Sequence, residues 1–180
     1  RSRYSAFVLG RADYLLATGR AAKNPCWACY HSSLYSFEMD GVKMGIVPCA
    51  VGAPYAVLVA EQLFVSGCQL LLSVTSAGVI NPPGNDKRFA LITNALRDEG
   101  TSHHYLPPDV PSQLGERLSQ KLSLSAALPD CPFFEATSWT TDAPYRETPS
   151  AIAAMQSQGV TCVEMEAAAL YAFAKAKNKA

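Results

Sequence analysis

Residues 42–75 constrain the fold more than any other stretch. Val42 to Val51 reads as a strand, Gly52-Ala53-Pro54 breaks it, Tyr55 to Val65 reads as a helix, and Cys68 to Thr75 reads as a second strand. Pro54 suits the first helical position, where its missing N–H leaves no bond unmade. Ser66-Gly67 supplies the stop. The second strand is apolar enough to be buried on both faces. Strand, helix and strand with short joints form a βαβ unit, which demands a parallel or mixed sheet with the helix packed on it.

The flanking chain extends this alternation. Leu34 to Met39 alternates weakly, and Asp40-Gly41 is a hairpin signal that joins it to the strand at Val42. Upstream, Tyr14 to Ala22 reads as a short helix stopped by Asn24-Pro25. Downstream come a Pro- and Gly-rich loop from Asn81 to Asp86, an apolar stretch from Phe89 to Leu96, and a second loop from Pro107 to Pro111. Helices are expected at Ser112 to Ala127, Ser150 to Gln158 and Glu164 to Lys177. Strands are expected near Phe133 to Thr137 and at Val160 to Val163. The 180 residues fit one α/β domain spanning 1–180.

Composition excludes several function classes. Apolar residues make up 49% and charged residues 17%, enough for a sizeable core. Fifteen basic residues balance fifteen acidic ones, so no basic field attracts phosphate backbones and nucleic acid is not an expected partner. The longest strongly apolar run, Leu70 to Val74, falls far short of the roughly 20 residues of a membrane span, so no membrane role is expected. No charged-then-apolar leader pattern opens the chain. Six cysteines are too few for a disulfide scaffold. Cys49, Cys68 and Cys162 sit in apolar surroundings and read as reduced thiols of a cytoplasmic protein.

Four segments carry candidate chemistry. Ser76-Ala77-Gly78 follows a strand, where small residues let backbone N–H groups approach an anion or sugar; the alternative is an ordinary tight turn. Glu164-Met165-Glu166 sits where a strand meets a helix. Its carboxylates can accept bonds from vicinal hydroxyls, and its methionine can pack on a sugar; the alternative is a helix start stabilised by acidic residues. His103 and His104 lie in a polar cluster from Arg97 to Tyr105. With His31 the only other histidine, no metal-ligand spacing emerges and no metal is expected. Cys26-Trp27-Ala28-Cys29 has redox spacing but follows Asn24-Pro25 instead of opening a helix after a strand.

In combination these segments are more specific than any one of them. Val51-Gly52-Ala53-Pro54 opens a helix that ends in Ser66-Gly67-Cys68. Then follow Ser73-Val74-Thr75-Ser76-Ala77-Gly78, the run Arg97-Asp98-Glu99-Gly100-Thr101-Ser102-His103-His104-Tyr105, Thr141-Asp142, and Val163-Glu164-Met165-Glu166-Ala167-Ala168-Ala169. This order, over roughly Leu34 to Ala174, resembles the nucleoside phosphorylases of the uridine phosphorylase and hexameric purine nucleoside phosphorylase type, relatives of the methylthioadenosine/adenosylhomocysteine nucleosidases. The resemblance implies a three-layer α/β/α sandwich around a twisted mixed sheet that partly closes as a barrel. It implies cleavage of an N-glycosidic bond by pentosyl transfer to phosphate, with no cofactor beyond phosphate as co-substrate. The chain is expected to assemble as a homo-dimer or hexamer.

The resemblance also assigns residues. Glu164, Met165 and Glu166 are expected to bind the ribose: Glu166 holds its hydroxyls and serves catalysis, Met165 packs on the sugar, and Glu164 helps grip it and shape the site. His104 and Asp142 match catalytic-site positions. Ser76 and Gly78 lie where phosphorylases hold phosphate. Tyr145 or Trp139 is expected to stack on the base.

Departures from the pattern matter too. Ser73 stands where phosphorylases usually carry an arginine, Tyr30 and His31 occupy the region of a second, and the amino-terminal Gly-Asp-Pro-x-Arg loop is not visible. Ser76-Ala77-Gly78 is the nucleosidase form of its turn. Hydrolysis is therefore the alternative reaction, and nucleoside binding without turnover is a third reading. The Gln and Arg that read uracil are missing between Tyr145 and Gly159, so uridine is a poor first expectation; purine is the class expected from the resemblance, with the base itself left open. The chain ends before the strand that carries the family's purine-facing aspartate, so the C-terminal part of the family fold is expected to be missing.

Overall fold

The computed structural model of the chain describes residues 6–9, 12–82, 84, 89–124 and 133–180. Their strands form two five-stranded mixed sheets. In the first, β1 (Ala6–Leu9) lies at the centre of the parallel part, between β4 (Val42–Val47) and β5 (Leu71–Ser73). β2 (Ala22–Lys23) and β3 (Tyr35–Met39) continue the sheet antiparallel beyond β4. The β3–β4 turn places Asp40 at φ 51° and Gly41 at φ 75°. Positive φ at both central residues matches the twist of a tight hairpin, and Asp-Gly tolerates it.

The second sheet runs β6 (Gly78–Val79), β10 (Cys162–Glu164), β9 (Phe133–Thr141), β7 (Phe89–Asp98) and β8 (Ser112–Gln113). Its three central strands are parallel and its two short edge strands antiparallel. Residues 74–77 carry the chain from one sheet to the other. The mixed-sheet α/β class is as expected, but its hydrogen bonds divide into two sheets instead of one.

The core lies where α2 (Ala53–Val65) meets α5 (Ala167–Lys177). Ala53, Ala56 and Ala60 let the helices approach, and Leu63 and Phe173 fill the space between them. A second cluster joins Ile80, Trp139, Val160 and Val163 to Met155 of α4 (Pro149–Ser157). The second sheet therefore has α5 on one face and α4 on the other, the layered arrangement that buries both faces of parallel strands.

Several boundaries differ from the sequence expectation. The helix expected from Tyr14 to Ala22 is only α1 (Asp13–Ala17), because Gly19 turns the chain at φ 67°. β4 stops at Val47, since Pro48 cannot donate a ladder bond and Cys49 takes φ 59°. The strand expected at Cys68 to Thr75 shrinks to β5, which forms the edge of its sheet with Leu72 and Ser73 exposed, so it is not buried on both faces. The helix expected from Ser112 begins later, as α3 (Glu116–Leu124), because Ser112 and Gln113 pair with β7. Its expected end, Ala127, lies outside the described residues, as does Asp86 of the Asn81 loop. β9 runs four residues past its expected end. α5 starts three residues after Glu164, which belongs to β10.

Candidate active site

The two glutamates of Glu164-Met165-Glu166 do different jobs. The last turn of β10 leaves the first N–H groups of α5 without helical partners, as every helix start does. Glu164 supplies acceptors: its Oε2 takes bonds from the N–H groups of Glu166 and Ala167, both at 2.7 Å. Its Oε1 accepts from the Thr140 hydroxyl at 2.5 Å, and that hydroxyl oxygen accepts from the Ala168 N–H at 3.0 Å. Glu164 is thus a buried brace with both oxygens engaged inside the chain, whereas the sequence expectation gave it a part in gripping the sugar.

With capping done by Glu164 and Thr140, the Glu166 side chain is released from that duty. It reaches 114 residues back in sequence, where its Oε1 accepts the Gly52 N–H at 2.6 Å. Gly52 precedes α2 at φ 91°, ψ 143°, a conformation almost confined to glycine. Burial pushes the Glu166 carboxyl above its ordinary value, the Gly52 N–H opposes that, the Glu164 charge adds to it, and the Met165 N–H opposes it further. A buried carboxyl with a perturbed titration is a recurrent mark of a functional site. Met165, between the two, is half-buried.

Gly52 and Pro54 open α2, and Pro54 begins an open groove of about 520 Å³. Its apolar wall is Pro54, Val57, Leu58 and Tyr105; its polar wall is Gly100, Thr101, His104 and Asp142. The polar wall is built by the run from Arg97. The Arg97 guanidinium donates to the Ser102 hydroxyl at 2.9 Å and to the carbonyls of Pro107, Val110 and Leu106 at 2.6, 2.7 and 2.9 Å. Its Nη2 also lies 3.1 Å from His103 Nδ1. Five contacts from one planar fork lock the loop that carries Thr101 and His104. Glu99 caps the 3-10 turn at Thr101–His104 by accepting from the Ser102 N–H. Asp142, at the end of β9, accepts from the Gly100 N–H at 3.0 Å, which fastens that turn to the second sheet.

The remaining expected site residues fall into three places. Gly78 pairs with Val163, and a Cβ there would lie 2.8 Å from Val163 Cγ1, so only glycine fits this close approach. Ser76 lies on the exposed connection just before Gly78 and does not line the groove. Tyr145 projects fully exposed from a 3-10 turn just past Asp142. Trp139 is 4% exposed in the core, and its indole N–H donates to Asp98 at 2.8 Å, so packing claims it and no base-stacking face is left. Sequence reasoning missed Gly52, Thr140 and Arg97 as parts of the site. The Gly52-Ala53-Pro54 break was legible, but its partner Glu166 was not.

Cys26 is exposed and Cys29 buried, and neither takes part in the groove. Among the described residues, no group of three or more His, Cys, Asp or Glu side chains could hold a metal ion.

Known proteins share this architecture. Two structures of uridine phosphorylase from Vibrio fischeri, one complexed with 6-hydroxy-1-naphthoic acid, superpose with TM-scores of 0.81. Each is 18% identical and covers 97% of this chain, which spans 74% and 73% of theirs; that likeness establishes the fold. A guanosine phosphorylase of Halorubrum lacusprofundi is 25% identical over 139 residues, 77% of this chain and 58% of that protein. An uncharacterized protein of Acanthamoeba polyphaga mimivirus is 25% identical over 141 residues, 78% of this chain and 54% of that protein. The chain thus spans little more than half the length of these curated relatives. The family pattern itself extends over residues 7–179, from β1 to the end of α5, and takes in both sheets, the Gly52–Glu166 contact and the groove: the chain belongs to the phosphorylase superfamily.

Proposed function

We propose that this chain cleaves the N-glycosidic bond of a nucleoside by phosphorolysis, acting as a pentosyltransferase. In that reaction a phosphate oxygen bonds to the sugar C1′, the bond from C1′ to the base nitrogen breaks, its electron pair leaves with the base, and the proton that hydrogen phosphate gives up ends on the base. The products are a pentose 1-phosphate and the free base. The observation that carries the reading is the buried Glu166 carboxylate, held on the N–H of Gly52, two residues before Pro54, which lines the groove that His104 and Asp142 also wall. As the glycosidic bond breaks, the ribose gains positive charge. A fixed carboxylate that grips its hydroxyls both orients the ring and favours that charge. Met165 packs on the sugar, His104 and Asp142 serve the base side, and Tyr145 supplies the stacking ring. Ser76 and Gly78 receive the phosphate, the co-substrate and sole additional requirement of the reaction.

Hydrolysis is the second reading, favoured by Ser73 and by the nucleosidase form of the Ser76-Ala77-Gly78 turn. A purine nucleoside is the proposed substrate class, in keeping with the missing uracil-reading residues and with a guanosine phosphorylase among the relatives. The proposed setting is cytoplasmic. Among the described residues no helix is long and apolar enough to cross a membrane. A homo-oligomer, dimer or hexamer, is proposed from Val51, Leu58 and Val65, large apolar side chains exposed at and along α2.

The test is Glu166→Ala with the purified full-length protein. Loss of a preorganised polar contact to the transition state should lower kcat/KM by about 2–4 kcal/mol. Wild-type turnover in that variant would refute the assignment.

A further inference from the structure

We infer that Gly52 is a positioning residue for the reaction: its N–H fixes one oxygen of Glu166 and thereby turns the other towards the sugar hydroxyls. The inference rests on the proposed role of Glu166 and adds a group that acts through it.

The geometry is specific. Glu166 stands at the entrance of α5 and makes no capping bond there, so its carboxyl is held from outside that helix, by the backbone N–H groups of Gly52 and of neighbouring Met165. Glu164 meets the N–H groups of Glu166 and Ala167. A carboxylate on two rotatable bonds beyond Cβ would otherwise sample several orientations, and fixing it before substrate arrives removes that cost from the transition state. The Gly52 N–H, at 2.6 Å, does the fixing from a different helix. It points there because Gly52 adopts φ 91°, ψ 143°. At that conformation an L side chain is strained although space for a Cβ is open, with no heavy atom within 4 Å. Glycine is needed here for the direction of its N–H and not for want of room.

Electrostatics point the same way. Gly52 heads the 13-residue helix α2, whose N-terminal end carries partial positive charge. The first turn of α2 holds no acidic residue, and Glu164, from β10, is the charged group that opposes Glu166. Burial and Glu164 favour the neutral acid, while the Gly52 N–H and, to a smaller extent, the Met165 N–H favour the ionised form that a cationic sugar requires.

Two measurements on the full chain test the inference. In Gly52→Ala the backbone leaves φ 91°, the N–H turns away, and kcat/KM should fall about tenfold to a hundredfold, the worth of one hydrogen bond to a charged group. The loss should fall mainly on kcat, and the acid limb of the kcat/KM profile should move up by about one pH unit. A stable Gly52→Ala protein with wild-type kcat and an unmoved acid limb would overturn the inference.

The second measurement needs neither turnover nor that variant. In the ¹H–¹⁵N spectrum of the wild type, the Gly52 amide should titrate with the Glu166 carboxyl, and Glu166→Gln should abolish that titration. A wild type that is inactive on nucleosides yet shows the titration would sink the phosphorolysis reading and leave the contact standing. An active wild type with a flat Gly52 amide would sink this inference and leave the function.

Discussion

Replacing Glu164 with alanine should unfold this protein far more readily than replacing Glu166, although the two residues are alike and two positions apart. Glu164→Ala strands three donors at once: the N–H groups of Glu166 and Ala167 and the Thr140 hydroxyl. The Glu164 side chain is 6% exposed and Thr140 fully buried, so water reaches these groups poorly. A lost helix cap costs about 1 kcal/mol, and a buried donor left without a partner about 1–3 kcal/mol. Some relaxation of the α5 entrance is expected, so we place the total at about 3–5 kcal/mol, a large share of the roughly 5–15 kcal/mol that holds a domain together. At about 2–4 °C per kcal/mol for a chain of this size, the melting temperature should fall by about 10 °C. Urea unfolding followed by circular dichroism reads the free energy, and calorimetry the temperature. Thr140→Val, which removes the hydroxyl at nearly constant shape, should couple to it in a double-mutant cycle. A Glu164→Ala protein within about 1 kcal/mol of the wild type would refute the bracing role.

Two further predictions concern titration and thiols. The Glu166 carboxyl is raised in the fold. Its contribution to stability is therefore complete below the ordinary glutamate value and is lost as pH rises through the raised one. The melting temperature of the wild type should fall relative to Glu166→Gln across that window; a gap that stays flat or widens in favour of the wild type would contradict the raised value. Burial pushes the Cys68 thiol up to about 12 and Cys162 to about 11, while Cys26 and Cys49 are exposed. A thiol reagent near pH 8 should modify Cys26 and Cys49 in the native protein and reach Cys68 and Cys162 only after unfolding, as peptide mass mapping would show.

Local chemistry made some elements legible and left others out of reach. Pro54 and Ser66-Gly67 bound α2 within two residues of the helix found, because both signals act on the backbone alone. The Asp40-Gly41 turn is equally local. β5 misled because an apolar run reads the same at the edge of a sheet as at its centre; only the neighbouring strands decide. Trp139 read as an accessible ring because nothing nearby in sequence announces Asp98 or Val163, its partners in the core. The split between Glu164 and Glu166 is the clearest case. Their residue type and surroundings in sequence are the same, and the difference comes from Thr140 and Gly52, 24 and 114 positions away.

Phosphate dependence of base release tests the central proposal most directly. The full-length protein, given purine and pyrimidine nucleosides with and without phosphate, should yield free base and a pentose 1-phosphate only when phosphate is present, with purines preferred. Free base and free pentose at equal rates without phosphate would contradict phosphorolysis, and intact nucleosides under both conditions would contradict glycosidic cleavage altogether.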